Sequence, residues 1–149
     1  MAHIFQIGSG MVGSAMALDL AKSHNVSLSD NNLESLNKIK SQDNSISIHQ
    51  LDVQDKIALQ EWIKPADIVL LAVPGFLGYD TLKTIIEVGK NVVDISFSPE
   101  NVLELNNLAQ QKNVIAVVDA GVAPGIPNYL LGYYNTKMDI HAFEYCVGG

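Results

Sequence analysis

The chain has 149 residues, 48% hydrophobic and 17% charged, which suits one domain with a buried core and excludes a disordered or fibrous chain. Its 16 acidic residues face nine lysines and no arginine, for a net charge of −7. That balance argues against a nucleic-acid partner and removes the guanidinium clamp used on carboxylates and phosphates, so a bound anion must rest on backbone amides or a lysine.

Short apolar runs alternate with amphipathic stretches along the chain. His3–Ile7 predicts a strand, and Met11–Ser23 a helix with Met11, Ala15 and Leu18 on one face. A strand follows at Val26–Ser29 and a short helix at Asn32–Lys40, with Leu33, Leu36 and Ile39 along one side. Ser45–Gln50 alternates as an edge strand does, and Gln54–Ile63 reads as helical. Ile68–Ala72 is continuously apolar, the pattern of a strand buried on both faces. Thr81–Val88 reads as a helix and Val92–Ile95 as a strand. Ser98 and Pro99 look like an N-cap and first-turn proline opening a helix over Glu100–Lys112. Val114–Val118 is a sixth buried strand, Gly121–Gly125 a turn, 126–134 a short helix and 138–147 a last strand. Strand–helix units of this kind imply an α/β fold: a doubly wound parallel sheet with helices on both faces, the Rossmann dinucleotide-binding arrangement.

Two further exclusions concern location and metal. The first residues have neither a basic region nor the apolar stretch of a secretory signal, and no apolar run approaches the ~18 residues of a membrane span. A cytoplasmic protein without a membrane partner is expected. A single cysteine, Cys146, rules out an internal disulfide and a cysteine-rich zinc site, and no metal site is expected.

Gly8-Ser9-Gly10-Met11-Val12-Gly13 is a GxGxxG motif in its full context, directly after a strand and opening a helix. Gly8 permits the tight turn, Gly10 lets the backbone approach a pyrophosphate, and Gly13 lets the helix pack close to the sheet. The pyrophosphate would sit on free amides at the helix N-terminus, without arginine. Asp30 ends the second strand, 20 residues after Gly10. An acid there accepts hydrogen bonds from the adenosine ribose and repels an added 2′-phosphate. Asn31 and Asn32 bring no positive charge to such a phosphate, so NAD is expected over NADP. Asp30 also reads as a cap for the next helix. Asp52 and Val53 follow the third strand, where adenine docks, although Asp52 reads equally as a solvated loop acid. Ala72-Val73-Pro74 lies at the carboxyl edge of the fourth strand, with Val73 suited to a nicotinamide ring; Pro74 and Gly75 are expected to keep the chain from entering a helix at once. Gly121, Pro124 and Gly125 stiffen a loop at the same edge, where backbone amides could approach a cofactor.

The segments GSGMVGSAMALDLA, VVDIS, DAGVAPGIPN and EYCVGG together resemble the saccharopine dehydrogenase and lysine 6-dehydrogenase family. The resemblance covers essentially the whole chain, its specific part being the GVAPG loop followed by a strand ending in Gly-Gly. It implies an NAD(P)-binding domain followed by a larger substrate and dimerisation domain. Hydride would pass between nicotinamide and a carbon of an amino acid or polyamine, breaking or forming a C–N bond through an imine. Residues 1–149 are then expected to be the cofactor domain of a longer, homodimeric protein. Saccharopine-forming members tend to carry an acid where this chain has Ala123 and a histidine where it has Asn128, so lysine 6-dehydrogenase-like members are the nearer pattern, and carboxynorspermidine dehydrogenase-like members stay open.

Asp94, Ser96 and Asp119, at or near the carboxyl ends of strands five and six, are the candidates for proton handling. Asp94 and Asp119 also read as polar caps on adjoining turns. None pairs with a histidine: His3, His24, His49 and His141 read as structural or surface groups. Cys146 is expected to be a small buried apolar group, and Trp62, Tyr129, Tyr133 and Tyr134 packing groups, the three tyrosines against the domain expected to follow. A second class stays open, a non-catalytic NAD(H)-sensing regulatory domain of the potassium-channel type, which shares the glycine motif and the acid but gives no reason for the GVAPG loop. A short-chain reductase would need a Tyr-x-x-x-Lys pair that the chain lacks at the usual place.

Overall fold

The structure, a computed structural model, describes residues 1–148. Its elements alternate: β1 (His3–Ile7), α1 (Met11–Leu20), β2 (Asn25–Asp30), α2 (Leu33–Gln42), β3 (Ser47–Gln50), α3 (Lys56–Ile63), β4 (Ile68–Leu71), α4 (Gly75–Val88), β5 (Val92–Asp94), a 3-10 turn (Val102–Leu105), α5 (Asn106–Lys112), β6 (Ala116–Val117) and α6 (Ile126–Asn135). All strand pairs are parallel, in the order β3-β2-β1-β4-β5-β6. The expected doubly wound sheet is therefore present, and its strand order reverses between β1 and β4.

Register decides what each face buries. Phe5 and Ile7 align with Val69 and Leu71, and Val69 with Val92. These residues form one apolar cluster with Leu59 and Ile63 of α3 and Leu82, Ile85 and Ile86 of α4. Trp62 packs against the same cluster, its ring 4.7 Å from Phe5 and stacked at 5.7 Å on His49. On the other face, Val26 and Leu28 of β2 cluster with Ala17, Leu36, Ile39 and Ile46. Right-handed crossovers explain the division: stepping from β1 to β3 puts α1 and α2 on one face, and stepping back through β4 to β6 puts the later helices on the other. The α1 face is consequently bare over β4 and β5, where Ile4, Met16, Leu20, Ile68, Leu70 and Val93 line an open apolar hollow of about 310 Å³.

Several local expectations are corrected. Helix α4 begins at Gly75, six residues before the expected Thr81. Pro74 serves as its N-cap, where a missing N–H costs nothing because helix starts leave those donors free. Gly75 is required there, since a Cβ would lie 1.9 Å from the Phe97 carbonyl oxygen. The expected helix over Glu100–Lys112 opens late, as a 3-10 turn capped by Asn101 rather than Ser98, and continues as α5 to the expected Lys112. Helix α1 stops at Leu20; its inward residues are Gly13 and Ala17, while Met11 is 92% exposed and Ala15 is also outside. Leu36 and Ile39 of α2 point inward, but Leu33 does not. The sixth strand is only two residues long and half-covered, with Ile115 70% and Val117 41% exposed. Residues 138–148 form no strand, and Cys146 is exposed rather than buried. Tyr129, Tyr133 and Tyr134 are half-exposed within these residues.

Candidate functional site

The site forms where β1 and β4 part, at the carboxyl edge of the sheet. Three glycines shape it for different reasons. Gly8 has φ +103°, and a Cβ there would meet the Ala72 carbonyl oxygen at 2.1 Å. At Gly13 a Cβ would meet the Gly8 carbonyl oxygen at 2.3 Å. Gly10 differs: its φ of −63° suits any residue, and an added Cβ meets nothing within 4 Å. Gly10 is the N-cap of α1 and caps it with no side chain, so the first-turn amides stay free of intrahelical partners. The chain's own packing requires Gly8 and Gly13 and leaves open space beside Gly10.

Two adjoining hollows share Gly10, Ala72, Val73 and Pro74 and make one trough. The first, about 200 Å³, continues past Asp30, Val53 and Leu77; the second, about 310 Å³, passes Met11, Val12 and Gly13 to Ile95, Ser96 and Phe97. Asn31 and Asp52 stand apart. Asn31 is exposed, its carbonyl accepting from Gln50 Nε2 at 3.0 Å, and Asp52 Oδ1 accepts from the Gln54 amide at 2.9 Å as a turn cap. Asp30 does not cap α2; Asn32 does, accepting from the amides of Glu34 and Ser35.

Ser9 is buried and faces away from the trough. Its amide and hydroxyl both donate to Asp30 Oδ2, at 2.6 and 2.8 Å. Its carbonyl accepts from the hydroxyls of Ser14 and Ser35, each at 2.8 Å. Gln6, fully buried on β1, braces the same loop: its Nε2 donates to the carbonyls of Gly8 at 3.0 Å and Gly13 at 2.6 Å. Sequence reasoning missed both Gln6 and Ser35. A glutamine inside an otherwise apolar strand was the available signal for the first; Ser35 gave none.

At the far end, Asp94 is buried and accepts from the amide and hydroxyl of Ser96. Burial pushes its carboxyl above the usual range; the two Ser96 hydrogen bonds oppose this, and the nearby negative charge of Asp119 adds to it. Ser96 and Ser98 lie against Gly78 of α4, where a Cβ would come within 2.5 Å of both hydroxyls. Asp119 is exposed, with φ +51°, and its carbonyl accepts from the Tyr129 hydroxyl at 3.2 Å. The loop at Gly121, Pro124 and Gly125 is held by its own contacts: Gly121 accepts from the Ile126 amide at 3.0 Å, and Gly125 has φ +146° with room for no Cβ. It starts beside β5, where the Ala120 amide donates to the Asp94 carbonyl at 2.9 Å, but it does not line the trough.

Residues 4–117 match the family described as Saccharopine dehydrogenase NADP binding domain. Among solved structures, the chain is similar to apo saccharopine dehydrogenase (L-Glu forming) from Saccharomyces cerevisiae, at 22% identity and TM-score 0.80, covering 91% of this chain and 31% of that one. It is also similar to scyllo-inositol dehydrogenase from Lactobacillus casei with bound NAD(H) and scyllo-inositol, at 14% identity and TM-score 0.68, covering 92% and 41%. Biliverdin reductase from Synechocystis, in complex with biliverdin and NADP+, matches at 18% identity and TM-score 0.61, covering 78% and 37%. At these identities the structures share the fold, and the chain spans well under half the length of each.

Proposed function

The chain belongs to the saccharopine dehydrogenase NADP binding domain family, and from that premise we propose that it is the dinucleotide-binding part of an oxidoreductase acting on a C–N bond of an amino acid or polyamine. The observation that carries this reading is the trough, above all the room beside Gly10 at the uncapped start of α1. Backbone amides there suit a pyrophosphate, which an arginine-free chain could hold in no guanidinium clamp. Asp30 suits a ribose hydroxyl at one end, and Val73 and Pro74, shared by both hollows, suit the nicotinamide half beyond it. The family match favours this class over an NAD(H)-sensing regulatory domain.

We favour NAD over NADP. The Asp30 carboxylate borders the first hollow and repels a 2′-phosphate, and no lysine is among the residues lining it. When bound, a nicotinamide would take a hydride from the substrate's amine-bearing carbon, leaving an imine, or give one to the imine carbon, leaving the amine. The chain's part is to bind, orient and handle a proton. Ser96 borders the trough with Asp94 behind it, so that pair is the nearest of the candidates, while Asp119 stands further off. In this reading a substrate and dimerisation domain follows residue 149 and brings any arginine the substrate carboxylate needs, in a homodimer working in the cytoplasm.

Calorimetry on residues 1–149 tests the binding claim. Micromolar or weaker binding of NADH, with NADPH weaker still, is expected. Tighter NADPH binding overturns the cofactor choice, and binding of neither overturns the reading. Steady oxidation of lysine by residues 1–149 alone would overturn the need for a second domain.

A further inference from the structure

We propose that Ser35 is a positioning residue for the ribose end of the trough: from the first turn of α2 it acts through Ser9 on the Asp30 carboxylate and sets the preference for a ribose 2′-hydroxyl. The inference rests on the reading of the trough as a dinucleotide site.

The carboxylate has about four acceptor positions. Three are taken by the chain itself: Oδ2 receives the Ser9 amide and hydroxyl, and Oδ1 receives the Asn32 amide at 2.9 Å. One position is left for a donor in the trough that Asp30 borders. A 2′-hydroxyl offers one donor; a 2′-phosphate offers another negative charge.

Ser35 controls how firmly that arrangement is held. Its Oγ lies 2.8 Å from the Ser9 carbonyl oxygen and 2.8 Å from the Ser9 hydroxyl. Two hydroxyl protons therefore serve three contacts. The charged carboxylate takes the Ser9 proton, since charge-assisted hydrogen bonds are the stronger ones. The Ser35 proton is then shared between the Ser9 carbonyl and the Ser9 hydroxyl. Placed on the hydroxyl, it completes a chain from Ser35 through Ser9 to Asp30 in which each hydrogen bond polarises the next. Ser9 is thus tied to β2 through Asp30, to α1 through Ser14 and to α2 through Ser35. Without the Ser35 hydroxyl the tie to α2 is gone, and the aim of the remaining acceptor of Asp30 is lost with it.

The experiment compares ADP with 2′-deoxy-ADP on the 149-residue chain, by calorimetry. In the unaltered protein ADP binds more tightly. Ser35→Ala is expected to weaken ADP by about three- to tenfold, the range for one lost hydrogen bond, and 2′-deoxy-ADP less, so the ratio of the two affinities falls toward one. Ser35→Thr, which keeps the hydroxyl, should restore the ratio, and Ser35→Cys should fall between. In an Asp30→Ala background, Ser35→Ala should leave the ratio unchanged, because the residue it acts on is gone. An equal loss for both nucleotides in Ser35→Ala, or an unchanged ratio, overturns the inference while leaving the dinucleotide reading intact. Failure of the unaltered chain to bind either nucleotide overturns both.

Discussion

Three glycines within six residues do three different things, and only a structure separates them. Gly8→Ala and Gly13→Ala each drive a methyl into a backbone carbonyl at 2.1 and 2.3 Å, and both are expected to lower stability by more than about 1 kcal/mol. Gly10→Ala meets open space and should unfold in urea close to the unaltered chain, yet lose most NADH binding. Retained binding in that variant would remove the main support for the ligand trough. Asp94 gives a second test, in pH. Burial holds its folded pKa above the unfolded value near 3.8. Native protein therefore binds that proton more tightly than unfolded protein does, and the stability present at low pH is lost as pH rises through the folded pKa. The stability of the unaltered chain relative to Asp94→Asn should fall between about pH 4 and about pH 8, measured by urea unfolding at each; a rise would contradict a raised pKa. The glycine motif and Asp30 were legible in the sequence because their spacing along the chain is fixed by one β–α–β turn. Gln6 and Ser35 were not, because their roles depend on hydrogen bonds to a loop that only the folded sheet brings near.

At the level of elements, the sequence was most informative where burial is complete. Ile68–Leu71 is apolar throughout and forms the central strand expected of it. It was least informative where an element's neighbours are missing or its start is set by tertiary fit. Pro74 and Gly75 look like helix breakers in isolation; against the Phe97 carbonyl they open α4 instead. The Val114–Val118 run has the composition of a buried strand, but no helix among the described residues covers Ile115 and Val117, and only Ala116–Val117 pairs in register. The contrast has a measurable size. Leu71→Ala, in the packed cluster beneath β4, should cost about 2–5 kcal/mol in urea unfolding. Ile115→Thr, 70% exposed, should stay within about 0.5 kcal/mol. Comparable losses in the two would mean that the edge of the sheet is covered after all.

For the molecule as a whole, alternation of strand and helix was enough to predict a doubly wound sheet, since right-handed crossovers leave few other topologies. Which half-face stays bare was not legible, because it follows from the direction of each crossover rather than from any residue. No helix among the described residues is long and apolar enough to cross a membrane. One feature of this architecture bears on cooperativity. The two apolar clusters lie on opposite faces of the sheet and share no residue, one under α1 and α2, the other under α3 and α4. The trough runs from Asp30, at the end of β2 in the first half, to Ser96, just after β5 in the second. A molecule lying along its full length would touch both halves at once, so its binding free energy would also brace each against local opening. A mononucleotide filling only the Asp30 end would tighten one half and leave the other to breathe.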